Sequence, residues 1–398
     1  MKKILALSLL VSSTSIFGAS TEGIEQDSRS YSLLHGVSSA EAKRALFLEA
    51  NRDSVLDDIE KEFKGRIAGI YIENSPTYKI IVRVKGHGVN QKRSNIVGNV
   101  SEKNSLPIEI VYGNFETREI AKGQLDKAAK LVGKFFSKVQ TVGYDEKSGN
   151  IYVRVNGSQT AENQKKLDQV KAAWNNPNLP LEISLVNWSV KPLVDANGGT
   201  FVAGPISPTR YADCTTGFGI KNASGTKYMS TAAHCPDNFN SKLDGTQYTF
   251  VGEIPFAQSN DLQWNSTTAN ITNKFYVGPT TTRTLTGRRT LAATKVGDSV
   301  CHYGNATGYS CGTVRGVGVI VPEYHPVTGA PLFPGNFWVD VNTSTCGGSD
   351  SGGPVFTAAT IASGILSLGA IDNSTNACHG YYYVPTDKIY ENGFSFVY

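Results

Sequence analysis

The sequence predicts two folded units of different class: a charged α/β unit in the first half and an all-β unit in the second. Of the 72 Lys, Arg, Asp and Glu residues, 49 lie at or before Asp195 and 23 lie after it, although the two parts are nearly equal in length. Helix-like and strand-like patterns are mixed before that point, and short strand-like runs separated by turns follow it. A chain of 398 residues, 40% of them hydrophobic, is long enough to form two cores.

The chain begins with a predicted signal peptide. Lys2 and Lys3 precede a short apolar run, and small residues follow it up to Ala19 and Ser20. This order is typical of a secretory signal. The run is too short to span a bilayer and no comparable run occurs later, so we expect no membrane anchor. We expect residues 1–19 to be removed and the product to be secreted to the extracellular space.

Residues 20–195 are predicted to form the α/β unit, and they contain an internal duplication. A helical pattern with serine cap candidates opens the unit. Strand-like KIIVRVKG at 79–86 resembles NIYVRVNG at 150–157, and LPIEI from Leu106 resembles LPLEI from Leu179. The separation of about 72 residues indicates two copies of a strand unit with a crossover. This unit by itself shows no catalytic pattern.

Residues 196–398 are predicted to be all-β. Thr-, Val- and Tyr-rich runs such as KYMSTAAH, YTFVGEI and FWVDVN are separated by Gly, Asn and Pro at short intervals. That spacing is typical of antiparallel strands joined by tight turns. We expect little helix before the final segment.

Composition excludes several classes of function. A net charge of +4 without a basic stripe gives no support for nucleic-acid binding. All six cysteines occur at or after Cys214, and in an exported chain they favour disulfides. There is no CxxC or HExxH motif, and His35 and His87 have no partner at ligand spacing. We therefore expect no metal and no cofactor.

Three stretches of the second half carry candidate catalytic residues. Ser351 stands in SDSGGP, where two glycines allow a sharp turn behind an exposed hydroxyl. His234 stands in STAAHC at the end of a strand-like run, and Asp261 in SNDLQW begins another. A serine nucleophile needs a base, a carboxylate to orient that base, and backbone N–H groups for the oxyanion.

Each stretch alone also has a simpler interpretation. A serine beside two glycines is a common loop, a histidine in AAHC fits a core, and an aspartate before an apolar run is often a cap. The order His, Asp, Ser, with all three contexts present, is far more specific.

Together, STAAHC, SNDLQW and CGGSDSGGP resemble the chymotrypsin superfamily, in particular its bacterial streptogrisin and α-lytic protease branch. The resemblance covers the second half. CHYGNATGYSCGTV is similar to that branch's small disulfide loop, and VPTDKIYENGFSFVY to its terminal helix and last strand. We expect no appended binding module after it.

The resemblance implies a double β-barrel with the active site between the barrels. It implies that Ser367 helps hold Asp261, and that Ser367, Leu368 and Gly369 pair with an extended substrate. It also implies that the first half is a pro-region, which assists the folding of the enzyme, inhibits it, and is then cut off near residues 196–199. The implied disulfides are Cys214–Cys235, Cys301–Cys311 and Cys346–Cys378.

Two residues depart from the family pattern. Ser349 stands where the family has glycine, at the residue whose N–H is expected to join that of Ser351 in the oxyanion hole, so Ser349 is expected to strain or reshape the hole. His302 stands where the branch usually has an arginine beside the aspartate before the nucleophile. We expect His302 to replace that arginine as the cation that holds Asp350; the alternative is a neutral, hydrogen-bonded core histidine.

The sequence therefore predicts a secreted serine endopeptidase, monomeric and made as a preproenzyme, whose partners are peptide or protein substrates and its own pro-region. One alternative is a protease-fold binding protein without turnover, and another keeps the first half attached as an interaction domain. No acidic residue stands near Thr345, at the expected base of the specificity pocket, so an apolar or small residue before the scissile bond is favoured. Leu368 and His379 are further pocket candidates.

Overall fold

The structure is a computed structural model. It describes residues 21–98, 105–192, 201–207, 210–256, 260–324, 331–332, 335, 337–372 and 374–398. The predicted signal peptide and the expected cut near Ala196 lie outside these residues. Among the described helices, none is both long and apolar enough to cross a bilayer.

The described residues of the first half form six helices and eight strands. The helices are α1 (Thr21–His35), α2 (Ser39–Asn51), α3 (Asp53–Glu62), α4 (Arg118–Gly123), α5 (Leu125–Gly133) and α6 (Ala161–Ala173). The strands are β1 (Ile67–Glu73), β2 (Lys79–Lys85), β3 (Gln91–Ile96), β4 (Ser105–Gly113), β5 (Val139–Tyr144), β6 (Ile151–Asn156), β7 (Leu181–Val186) and β8 (Trp188–Pro192).

Strand pairing in the first half confirms the internal duplication. In the first copy β1 pairs antiparallel with β2, and β2 pairs parallel with β4. In the second copy β5 pairs antiparallel with β6, and β6 pairs parallel with β7. The copies differ in their crossovers, which contain β3 in the first and α6 in the second. Each copy buries its own apolar cluster between sheet and helices.

The described second half is almost entirely β, as the sequence predicts. Its strands in the first sheet are β9 (Val202–Ser207), β10 (Arg210–Cys214), β11 (Gly219–Lys221), β12 (Lys227–Thr231), β13 (Phe239–Ser241), β14 (Gln247–Ile254), β15 (Leu262–Ser266) and β27 (Ser395–Phe396). Two short hairpins are β16 (Lys274–Tyr276) with β17 (Thr282–Thr284), and β21 (Glu323–Tyr324) with β22 (Pro331–Leu332). The remaining strands are β18 (Gly287–Arg288), β19 (Ser299–Gly304), β20 (Gly308–Val319), β23 (Trp338–Asn342), β24 (Pro354–Thr357), β25 (Ile361–Asp372) and β26 (Cys378–Pro385).

The strand order of the second half confirms the predicted fold class, an all-β double barrel behind a smaller α/β unit. The first sheet runs β10-β9-β13-β14-β15-β12-β11-β27, and the second runs β18-β25-β24-β19-β20-β23-β26. A further pairing of β25 with β26 closes the second sheet. The terminal helix α7 (Thr386–Glu391) precedes β27, which returns to β11 in the first sheet.

Three disulfides staple the second half, and they are the pairs that the resemblance implied. Cys214 is bonded to Cys235, Cys301 to Cys311, and Cys346 to Cys378. Cys301 and Cys311 lie opposite each other on β19 and β20. No described cysteine is free.

Ion pairs at the boundary hold the first half against the second. The pairs are Arg52–Asp298 at 2.5 Å, Arg289–Glu49 at 2.7 Å, Arg283–Asp27 at 3.0 Å and Arg154–Asp340 at 2.7 Å. All these side chains are buried except that of Arg154, which is 15% exposed. A buried charge that loses its partner destabilises the fold by about 3–5 kcal/mol. These pairs therefore favour one relative position of the two halves.

Candidate active site

Two neighbouring strands of the first sheet bring His234 and Asp261 together. His234 follows the end of β12 by three residues, and Asp261 directly precedes β15. These strands pair antiparallel, with Thr231 opposite Gln263. The end of one strand and the start of the other therefore lie at the same edge of the sheet.

Asp261 holds the imidazole at two points. Asp261 Oδ2 lies 2.8 Å from His234 Nδ1, and Oδ1 accepts the backbone N–H of His234 at 3.1 Å. Ser367 Oγ also donates to Oδ2. Burial alone would raise the pKa of the Asp261 carboxyl, but the imidazole and these hydrogen bonds outweigh burial and lower it. The carboxylate is therefore ionised at neutral pH and orients the ring.

Ser351 lies on a sharp turn between a 3₁₀ turn at Gly348–Asp350 and strand β24. Its carbonyl accepts the N–H of Thr215 at 2.8 Å, which ties the turn to the end of β10. Gly352 has φ +85°, and a β carbon there would come within 2.0 Å of Thr231 Oγ1. Only glycine allows so close an approach, so Gly352 lets Ser351 pack against the strand that leads to His234.

The imidazole and the serine hydroxyl meet across the two sheets. His234 Nε2 lies 2.8 Å from Ser351 Oγ. With the proton on Nδ1, where it is donated to Asp261, Nε2 carries a lone pair and accepts the hydroxyl proton. Ser351 Oγ also lies 3.2 Å from the carbonyl oxygen of Ser367. The three side chains form a continuous chain from carboxylate to hydroxyl.

The backbone at Ser349 is ordinary. Among the described non-glycine residues, positive φ occurs at Ala358, Ala359 and Asn376, and Ser349 is not in that set. Its side chain is buried and its carbonyl accepts Thr215 Oγ1 at 2.7 Å. The β carbon of Ser349 therefore does not force a left-handed conformation on the turn. Its part in an oxyanion hole stays a prediction.

Asp350 is held by four neutral hydrogen bonds. Its Oδ1 accepts the N–H groups of Ala306 at 2.8 Å and Thr307 at 3.1 Å, and its Oδ2 accepts Gly347 N–H at 2.8 Å and Thr307 Oγ1–H at 2.7 Å. Burial acts to raise the pKa of this carboxyl, but the neighbouring imidazole and the hydrogen bonds lower it below its usual value. Donors from two loops thus fix the turn that carries Ser351.

His302 reaches Asp350 mainly through Thr307. Its Nε2 lies 3.7 Å from Asp350 Oδ2 but 3.1 Å from Thr307 Oγ1. Because the threonine proton goes to Asp350, Thr307 accepts from Nε2–H. The expected neighbour is therefore present, with a hydroxyl bridging the pair, and the charge of His302 stays a prediction.

Replacing Thr307 with the isosteric valine should destabilise the protein by about 1–3 kcal/mol, because buried polar groups would lose a partner. The pKa of Asp350 is lowered by folding, so the stability it contributes is present above the unfolded aspartate value of about 4 and disappears as pH falls through the folded-state value. Thr307→Val removes one of the contacts that lower the pKa of Asp350. On acidification the variant should therefore unfold at a higher pH than the wild type. Acid titration by circular dichroism measures this, with exposed Thr268→Val as the control. Identical midpoints in the wild type and Thr307→Val would contradict the bridge.

The predicted substrate strand is occupied by the first half. In β25, Leu368 and Gly369 lie opposite Pro192 and Lys191 of β8. Leu368 is buried, whereas His379 is exposed and its ring stacks on Trp188. Thr345 precedes the disulfide of Cys346 and bears no charge. Among the described residues, no group of His, Cys, Asp or Glu is arranged to hold a metal ion.

Comparison with solved structures finds similar folds that cover half of the chain. A Nocardiopsis protease is 22% identical, and the match covers 50% of this chain and 98% of that protein with a TM-score of 0.39. Protease A of Thermobifida fusca is 22% identical, and the match covers 50% of this chain and 97% of that protein with a TM-score of 0.39. A glutamic acid specific serine protease is 23% identical, and the match covers 50% of this chain and 99% of that protein with a TM-score of 0.39. No protein-family profile matches the chain.

Two residues of the site were not predicted from the sequence. Thr215 binds the backbone on both sides of Asp350, and Thr307 bridges Asp350 and His302. Threonine is common in this half, and only the folded chain distinguishes these two. The position of Thr215 directly after Cys214 is the one hint, since that disulfide leads to Cys235 beside His234.

Proposed function

We propose that the protein is a secreted serine endopeptidase that cleaves peptide bonds through Ser351, His234 and Asp261. The observation that carries the proposal is the relay of two 2.8 Å contacts, from Asp261 to Nδ1 of His234 and from Nε2 to Ser351 Oγ. Nucleophile and base lie within hydrogen-bond reach, and a third group orients the base, as serine catalysis requires.

In the proposed reaction, His234 Nε2 removes the proton of Ser351 as Oγ attacks the substrate carbonyl. The tetrahedral intermediate collapses to an ester on Ser351, and the imidazolium gives its proton to the departing amine. Water then attacks the ester, again with His234 as base and then acid, and releases the carboxylic acid and the free serine. Asp261 stabilises the imidazolium at each step. The backbone N–H groups of Ser349 and Ser351 are the proposed oxyanion donors.

We propose that the first half is a pro-region that assists folding and inhibits the enzyme before its removal. Strand β8 pairs with β25 over Leu368–Asp372 and so covers the strand that would bind substrate. A substrate would add to the edge of β25 in the same way, so strand and substrate exclude each other. The proposed cut falls between Pro192 and Phe201, at or near Ala196, and it separates the inhibitor from the enzyme.

Labelling with a fluorophosphonate probe tests the proposal against a protease-fold binding protein. An activated serine reacts with the probe, so secreted protein should be labelled on Ser351, and His234→Ala should abolish the labelling. Unlabelled secreted protein that retains its fold would contradict the proposal. The mass and N-terminal sequence of that product separate a removed pro-region from a permanently attached one.

A further inference from the structure

Strand β8 lies along the proposed substrate strand as a peptide would. It runs antiparallel to β25, with Pro192 opposite Leu368, Lys191 opposite Gly369, and the pairing continuing without a bulge to Trp188 opposite Asp372. The side-chain amide of Asn187 donates to Asp372 Oδ2 at 2.7 Å and anchors the far end. The strand therefore shows how five consecutive residues bind along β25.

The nucleophile fixes the numbering of these positions. Ser351 Oγ lies 3.2 Å from the carbonyl oxygen of Ser367, so a peptide residue opposite Ser367 lies beside the nucleophile. Counting back from that first position, Pro192 is second, Val190 is fourth and Trp188 is sixth. Side chains alternate across a strand, so those of Val190 and Trp188 face the same side.

The even side contacts apolar residues of the second half. Trp188, 6% exposed, belongs to one buried cluster with Leu368, Ala370 and Trp338, and Val190 packs against that cluster. The odd position between them, Ser189, lies on the opposite face of the strand. A large aromatic side chain contributes more buried area than any other, so Trp188 is the main anchor of the strand.

His379 forms one side of the site that binds the Trp188 side chain. Its ring stacks on that of Trp188 with centroids 6.4 Å apart and planes at 23°. His379 lies where β26 bulges, because Gly369 pairs with Tyr381 but Ile371 pairs with Cys378. Gly380, in the same bulge, has φ +140°, and a β carbon there would come within 2.5 Å of the carbonyl oxygen of Val341. The bulge directs His379 to the far end of β25.

We infer that the mature enzyme has a distal aromatic subsite, formed by His379 and the apolar cluster around Leu368, Ala370 and Trp338, which selects substrates carrying an aromatic side chain at the sixth position before the scissile bond. The inference rests on the proposed function, since it assumes that β8 leaves the groove after cleavage. It assigns His379 to this distal subsite rather than to the pocket for the residue beside the scissile bond.

The test uses mature enzyme prepared from the full chain and acetylated hexapeptides with a fluorogenic amide at the cut. The parent peptide, WSVKPL, repeats the chain from Trp188; ASVKPL removes the aromatic ring, and FSVKPL, which keeps an aromatic ring at the sixth position, is the matched control. The kcat/KM should fall about tenfold or more from WSVKPL to ASVKPL, the range expected for loss of a buried aromatic contact, and stay within about twofold for FSVKPL. Equal kcat/KM for WSVKPL and ASVKPL, in enzyme that reacts with fluorophosphonate, would overturn the subsite and leave the proposed function standing.

A variant of His379 tests its part in the subsite. His379→Ala should reduce the ratio of kcat/KM between WSVKPL and ASVKPL, and His379→Phe, which can still stack, should preserve it. An unchanged ratio in His379→Ala would overturn the role of His379. Absence of both labelling and cleavage of every peptide would overturn the proposed function and the substrate subsite with it.

Discussion

Ser351→Ala should abolish peptidase activity, with a loss of kcat on the order of 10⁴–10⁶-fold, because it removes the hydroxyl that lies 2.8 Å from His234 Nε2. His234→Ala should be equally damaging, and the double variant no worse than either single variant, since the members of a triad act as a unit. If maturation is intramolecular, Ser351→Ala should also accumulate as the uncut chain.

The measurement is hydrolysis of a peptide library together with the mass of the secreted product. Ser224→Ala, at an exposed turn, is the matched control and should keep full activity and normal processing. Peptidase activity retained by folded Ser351→Ala would reject the assignment of the nucleophile. Cut Ser351→Ala without activity would instead show that another protease performs the maturation.

The second half expressed alone, from Ala196 to Tyr398, should yield little active enzyme. Its strands pair over long sequence separations, so its folding is expected to be slow. The first half also covers Leu368 and Ala370, and it pairs with buried charges such as Arg283 and Asp298. Supplying residues 20–195 in trans should restore activity, because the contacts made by the first half stabilise the folded second half.

Variants of the added first half refine this test. Arg52→Ala removes the closer of the two buried arginines that pair with Asp298, leaving Arg289 at 3.3 Å, and should lower the recovered activity, whereas Lys61→Ala, 78% exposed, should not. The yield of fluorophosphonate-labelled enzyme after refolding measures the effect. Equal yields with and without residues 20–195 would argue against a folding role, and equal yields with Arg52→Ala and wild type would show that this ion pair does not contribute.

The sequence by itself determined the local features of the protein. Strand and helix periodicity predicted the α/β and all-β halves, the repeated KIIVRVKG and NIYVRVNG motifs predicted the duplicated strand unit, and the resemblance implied the disulfide pairs. His234, Asp261 and Ser351 could be singled out because each stands in a short motif beside a strand end or a glycine turn. Such signals depend only on residues that are close in sequence, so they can be recognised without the tertiary structure.

Only the tertiary structure decided which distant residues meet. Thr307 bridges Asp350 and His302, Arg52 meets Asp298 across 246 positions, and Trp188 stacks on His379. None of these residues has a distinctive local pattern, because threonine, arginine and tryptophan fit many surfaces and cores equally well. Their partners are set by strand register and by the seating of one half on the other. Those are properties of the packed chain, in which side chains far apart in sequence fill the same buried space.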